Sequence, residues 1–75
     1  MQKYANRGGD SGVTVFAIAP DSITVGFRDG SAYLYTYASA GRGNIERMKA
    51  LAQAGQGLNS FISTTVRKAY ARKLR

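Results

Sequence analysis

Residues 22–37 have the sequence SITVGFRDGSAYLYTY, in which β-branched and aromatic residues stand on both sides of Asp29-Gly30. Such residues favour strands, and Asp-Gly is a preferred pair for the two-residue type I′ turn of a β-hairpin. A two-residue loop places Arg28 opposite Ser31 and, further along, Val25 opposite Leu34. We therefore predict a hairpin with this register.

In this register the two faces of the hairpin differ in polarity, because side chains alternate along each strand. One face is apolar and carries Ile23, Val25, Phe27 and Leu34. The other face is polar except for a row of three tyrosines, which are Tyr33, Tyr35 and Tyr37. The apolar face is predicted to belong to the core.

The segments that flank this hairpin extend it to a small α+β domain. Residues 13–19 are also rich in β-branched and apolar residues, and the turn signal Pro20-Asp21 joins them to the hairpin as a third strand. Residues 1–10 lack hydrophobic periodicity and are predicted to form a flexible N-terminal tail.

Two helices are predicted after the strands. Asn44 is a suitable N-cap for a helix over residues 45–54, which Gly55 ends. A second helix is predicted to begin near Asn59 and to run toward the C-terminus. The predicted fold is thus a three-stranded antiparallel β-meander followed by two α-helices (βββαα), in a single domain over residues 11–75.

Composition argues against enzymatic chemistry. The 75 residues include no cysteine and no histidine, so disulfides, thiolate nucleophiles and the usual zinc ligands are excluded. The four carboxylates are dispersed along the chain, at Asp10, Asp21, Asp29 and Glu46. We therefore expect no enzyme activity, no cofactor and no metal site.

Charge is the strongest indication of function. The net charge is +7, and residues 47–75 hold seven cations and no acid, whereas the cations and acids of residues 1–46 balance. Such a patch attracts polyanions. On the predicted second helix, one solvent-facing arc carries most of these cations, namely Arg67, Lys68, Arg72 and Arg75.

The tyrosine row has two interpretations. Tyr33 and Tyr35, with Arg28, could form a platform on which unpaired bases stack, as on the sheets of RNA-binding domains. Alternatively, the rings fill the core, which is the favoured interpretation because so small a domain needs its large apolar side chains for folding.

The chain resembles the KTSC domain, a short module found at the C-terminus of some lysyl-tRNA synthetases and as free-standing bacterial and phage proteins. The resemblance rests on Val25-x-Phe27-x-x-Gly30-x-x-Tyr33-x-Tyr35 and on Gly55-x-x-x-Asn59-x-x-Ile62, and it spans roughly residues 11–70. It implies a KTSC-like fold and suggests RNA binding, the role usually considered for that family.

The sequence therefore predicts a small non-catalytic nucleic-acid-binding module, with RNA favoured over duplex DNA, that binds through a basic C-terminal helix. The alternative is a protein-interaction module or regulator, including one encoded by a phage, that docks on an acidic surface of a larger complex such as RNA polymerase or the ribosome. The apolar segments are too short for a signal peptide or a membrane span, so we expect a cytoplasmic protein.

Overall fold

The computed structural model describes residues 1–9 and 11–75 and shows a five-stranded antiparallel sheet with helices packed on one face. The strands lie in chain order: β1 (Gln2–Lys3), β2 (Val13–Ala19), β3 (Ser22–Phe27), β4 (Ala32–Thr36) and β5 (Arg72–Lys73). Three helices connect β4 to β5: α1 (Tyr37–Ala40), α2 (Arg42–Ala54) and α3 (Leu58–Phe61), which continues as a π-helical turn over Ile62–Val66. The α+β class with an antiparallel sheet is confirmed. The predicted βββαα order is incomplete, because a short strand is added at each edge of the sheet.

The core lies between the sheet and α2. Ile45, Met48 and Ala52 recur at helical spacing and are buried, as the periodicity of this segment predicts. They belong to one apolar cluster with Phe16, Ile23, Val25 and Tyr35 from the sheet and with Leu58, Ile62 and Val66 from the segment after α2. The predicted N-cap is wrong by a few residues, since α2 begins at Arg42 and the side-chain Nδ2 of Asn44 donates to the carbonyl of Ala40 (2.8 Å).

The register of the β3–β4 hairpin differs from the prediction by one residue. Val25 pairs with Tyr33, and the loop has three residues instead of two. The amide of Gly30 donates to the carbonyl of Phe27 (3.0 Å), and the amide of Phe27 donates to the carbonyl of Ser31 (2.8 Å). Only Gly30 has a positive φ in this loop, at 91°, which is the pattern of a type I turn followed by a glycine bulge.

Asp29 explains why this turn is preferred over the type I′ turn. Its Oδ1 accepts hydrogen bonds from the amide (2.9 Å) and the hydroxyl (2.6 Å) of Ser31, so the carboxylate stabilises the loop from within. A one-residue shift exchanges the faces of a strand. Tyr33 and Tyr35 therefore lie on the same face as Ile23 and Val25, toward the helices.

The predicted C-terminal helix is also wrong beyond Val66. Arg67 has φ 48° and ends the π-helical turn, and the chain then returns along β4, where Arg72 pairs with Leu34 and Lys73 with Tyr33. Hydroxyls in the preceding residues bond to backbone carbonyls one turn earlier, Ser63 to Asn59 (2.7 Å) and Thr64 to Ser60 (2.8 Å). Such bonds and the β-branched side chains weaken a helix, whereas β5 supplies partners for the free edge of β4.

The first residues of the chain belong to the fold and do not form the predicted tail. β1 pairs with β2, and Tyr4 is buried in the core cluster. Arg7 then donates from its backbone amide to the carbonyl of Gly55 and from its Nε to the carbonyl of Ala54 (3.0 Å), at the C-terminal end of α2. Asp10, the last residue of the predicted tail, lies outside the described residues.

Gly55 is a position where alanine should destabilise the protein. Its φ is 76°, and a Cβ built on it would lie 2.5 Å from the Cβ of Ala5. We expect Gly55→Ala to lower the free energy of unfolding by at least about 1 to 2 kcal/mol, the cost of a left-handed conformation for an L-residue. Urea unfolding measures this change. Gly43→Ala is the matched control and should stabilise by about 0.5 to 1 kcal/mol, because Gly43 lies in α2 with no atom within 4 Å of its Cβ position. Equal effects of the two substitutions would contradict this account.

Candidate nucleic-acid interface

The structure separates the seven residues that were predicted to bind nucleic acid. The five cations are all exposed, but they do not share a helix face: Arg28 lies in the β3–β4 loop, Arg67 and Lys68 follow the π-helical turn, and Arg72 and Arg75 lie in or beside β5. The prediction of a basic arc on one helix is therefore wrong. Its four cations lie instead in an exposed segment, residues 67–75, that includes the edge strand β5.

Tyr35 is a core residue. It is 2% exposed, and its ring meets that of Tyr70 edge-on at 6.1 Å. Burial, together with the neighbouring Tyr33 and Tyr70, raises the pKa of its hydroxyl to about 12. A base could not stack on this ring in the folded protein, so the interpretation of Tyr35 as part of a stacking platform is wrong and its interpretation as core is confirmed.

Tyr33 is half-buried and forms an aromatic pocket with Phe27. Their ring centroids are 5.8 Å apart with an interplanar angle of 76°. The ring of Tyr70 also packs against that of Tyr33, with a centroid distance of 4.7 Å. The pocket is open to solvent and has a volume of about 510 Å³. Its lining comprises Gly12, Phe27, Arg28, Asp29, Ser31 and Tyr33. A concave, mainly apolar site with a few polar groups is the usual form of a ligand site.

Cations border this pocket on the β5 side. Lys73 pairs with Tyr33 across the β4–β5 ladder, and its Nζ lies 5.8 Å from the centre of the Tyr33 ring. Arg75 exchanges backbone hydrogen bonds with Ala32, the first residue of β4, at 3.2 and 3.3 Å. The C-terminal cations are thereby brought to the same end of the sheet as the β3–β4 loop.

Arg28 extends the basic surface across the loop. Arg28 lines both the aromatic pocket and a neighbouring pocket of about 340 Å³, which Lys3 also lines. Its backbone amide donates to the carbonyl of Gly12 (2.7 Å), which holds the loop against the start of β2. We call the surface that Lys3, Arg28, Lys73 and Arg75 form around the aromatic pocket and the neighbouring pocket the loop-end surface.

A second charged cluster, at the opposite end of β4, is largely self-compensated. Glu46 accepts hydrogen bonds from the hydroxyl of Tyr37 (2.6 Å) and from Nζ of Lys49 (2.9 Å). These bonds lower the pKa of Glu46, and the bond to Glu46 raises the pKa of Tyr37. Lys49–Glu46 is the one salt bridge among the described residues. Among the described residues, the cations of the loop-end surface form no salt bridge.

The sequence missed Phe27 and Lys73 as site residues. The predicted register placed Phe27 among core residues, and the predicted helix left Lys73 outside its solvent-facing basic arc. No sequence signal for Lys73 existed apart from its charge, since pairing with Tyr33 depends on β5. The described residues contain no cluster of three possible metal-ligating side chains, and none of the described helices has the length and apolar character needed to cross a membrane.

No protein-family model, curated protein or solved structure matches this chain. The pocket and the charges around it are consequently the basis for any statement about function.

Proposed function

We propose that the protein is a small non-catalytic module that binds single-stranded nucleic acid, with RNA favoured, through the loop-end surface. The observation that carries this proposal is the half-exposed aromatic pocket of Phe27 and Tyr33, flanked by Arg28 and Lys73, which form no salt bridge among the described residues. Binding uses the β3–β4 loop and β5 instead of a basic helix. Membership of the KTSC family remains part of the proposal and rests on the motifs of residues 25–35 and 55–62.

Each part of the surface has a role in such a complex. An unpaired base enters the pocket and contacts the rings of Phe27 and Tyr33, an interaction worth about 1 to 3 kcal/mol per base. Phosphates on either side of that base contact Arg28 and the cations of β5, and the release of counterions favours the complex. A duplex is disfavoured because its bases are paired and stacked. Such a protein would act in the cytoplasm, where RNA is abundant.

The pocket gives no support to catalysis. The lining includes the aliphatic hydroxyl residue Ser31, and this hydroxyl donates to Asp29 (2.6 Å). The hydrogen bonds from Ser31 lower the pKa of Asp29, so this carboxylate is a weaker base than an ordinary aspartate. We therefore propose binding without turnover.

The alternative function, docking on an acidic protein surface, is favoured by a different observation. Leu74 is 42% exposed beside Arg72, which lies on the sheet face opposite the helices, and the N-terminal Met1 is exposed as well. Exposed apolar residues next to cations are typical of protein interfaces. A partner protein would use this face, whereas a nucleic acid would use the loop-end surface.

Neutralising two cations of the loop-end surface tests the proposal. The double variant Arg28→Gln/Arg75→Gln is expected to bind a uridine-rich single-stranded RNA more weakly and to reduce the slope of log K against log salt by about 0.7 for each lost phosphate contact. Fluorescence anisotropy over a salt series measures both quantities.

The double variant Arg42→Gln/Arg47→Gln is the matched control, because it removes the same charge from exposed positions on α2. Its salt slope should equal that of the wild type. Equal losses in the two variants would indicate a general effect of net charge and contradict the loop-end surface. Binding to an acidic polypeptide such as polyglutamate, without binding to RNA, would favour protein docking.

A further inference from the structure

Asp29 is an acid within a surface that is proposed to attract phosphates, and its position calls for an explanation. Its Oδ1 is held by the amide and the hydroxyl of Ser31, which accounts for its role in the turn. No hydrogen bond to its Oδ2 is present among the described residues, and Asp29 is one of the residues that line the aromatic pocket. A carboxylate there weakens the attraction for phosphates, so it does not serve backbone binding. Its second oxygen could instead select which base enters the pocket.

The donors and acceptors of the pocket fit one base better than the others. Guanine has two adjacent donors, N1–H and the N2 amino group, next to the acceptor O6 on its Watson–Crick edge. Adenine and cytosine place an acceptor nitrogen beside their amino group, which a carboxylate repels, and uracil has one N–H between two carbonyls. A carboxylate is acceptor-only and a guanidinium is donor-only, and the consecutive residues Asp29 and Arg28, which carry these groups, both line the pocket.

The carboxylate is ionised under the conditions in which this selection would operate. The hydrogen bonds from the Ser31 hydroxyl and amide lower the pKa of Asp29, and nearby Lys73 adds to this effect. Asp29 is therefore an acceptor at neutral pH.

We propose that the pocket selects an unpaired guanine, with Asp29 Oδ2 accepting hydrogen bonds from N1–H and N2–H, Arg28 donating to O6, and the base ring in contact with Phe27 and Tyr33. This inference rests on the proposed function and adds base selectivity to it.

The test uses nine-nucleotide RNAs that have uridine at the outer positions. Their central base is guanosine, inosine, adenosine or cytidine, or, in the all-uridine RNA, uridine. Inosine keeps N1–H and O6 and lacks only the N2 amino group. We expect the wild type to bind the guanosine RNA about fivefold or more tightly than each of the others, since a good paired contact to a base edge discriminates to at least that extent. This comparison needs no variant.

Asp29→Asn then assigns the selectivity to the carboxylate. Asparagine keeps an oxygen for the Ser31 bonds but replaces the second acceptor with an amide donor. The variant should bind the all-uridine RNA slightly more tightly, because a negative charge has been removed, while the preference for guanosine disappears. Asp21→Asn is the matched control: Asp21 is exposed at the β2–β3 turn, at the other end of the sheet, so the same change of charge should leave the preference intact.

Three results would overturn the inference. If the wild-type protein bound all the RNAs with equal affinity, the guanine selectivity would be overturned and the proposed function would stand. Absence of binding to every RNA would overturn both. A preference for guanosine that persists in Asp29→Asn would show that another group reads the base.

Discussion

Replacing Tyr35 by alanine is expected to lower the free energy of unfolding by about 3 to 5 kcal/mol, the usual cost of truncating a large buried aromatic side chain. The ring is 2% exposed and belongs to the core cluster. Small domains are stable by only about 5 kcal/mol or slightly more, so much of the variant should be unfolded at 37 °C. A thermal melt followed by circular dichroism measures this loss.

Tyr33→Ala is the comparison that separates the core from the site. Because Tyr33 is half-buried at the pocket, its truncation should cost less stability and should weaken RNA binding by about 1 to 3 kcal/mol. If Tyr35→Ala melted near the wild-type temperature, the placement of this ring in the core would be wrong.

The hydroxyl of Tyr35 also makes the stability depend on alkaline pH. Its pKa is about 12 in the folded protein, above the ordinary value of 10.0, because burial disfavours the charged form. Between pH 10 and about 12 the unfolded protein releases this proton while the folded protein retains it. The free energy of unfolding is therefore unaffected below pH 10 and declines as the pH rises through about 12. Tyr35→Phe keeps the ring and removes this ionisation, so its unfolding free energy should decline less steeply across that range than that of the wild type.

Replacing Tyr4 by alanine should have a similarly large effect, about 3 to 5 kcal/mol, although this residue lies in a segment without hydrophobic periodicity. Tyr4 is 2% exposed, and its hydroxyl accepts a hydrogen bond from the amide of Leu58 (3.2 Å) at the start of α3. The substitution removes both the packing and the acceptor for a buried amide. Urea unfolding gives the size of the change.

Tyr4→Phe separates these two contributions. The ring stays, but the amide of Leu58 loses its acceptor, for which we expect about 1 to 3 kcal/mol. Lys3→Ala, at the neighbouring exposed position, should change stability little. If Tyr4→Ala unfolded with the same free energy as the wild type, the result would instead support a flexible N-terminal tail.

Local periodicity was sufficient to predict the elements whose burial depends on near neighbours. The stripe of Ile45, Met48 and Ala52 indicates α2, and Gly55 marks its end, because helix formation depends on residues three or four apart and on the conformation of the cap. The strand segments were likewise visible from β-branched and aromatic residues. The excess of cations after residue 46 is a property of composition and needs no structure.

The pocket could not be predicted in the same way, because it depends on a choice between two turns. Asp29-Gly30 suits both a two-residue and a three-residue loop. The bonds from Ser31 to Asp29 accompany the longer loop, and that choice moves Tyr35 into the core and brings Tyr33 beside Phe27.

The sequence by itself determined the α+β class, the principal strands, α2 and the basic character of the C-terminal segment, since these follow from residues close together in the chain. Only the tertiary structure decided that residues 72–73 form a strand and that Tyr4 is core. The physical reason is that both depend on partners far away in sequence. β5 forms its hydrogen bonds with β4, and Tyr4 is buried against residues after α2 such as Leu58. Neither segment therefore has a local sequence pattern that predicts its structure.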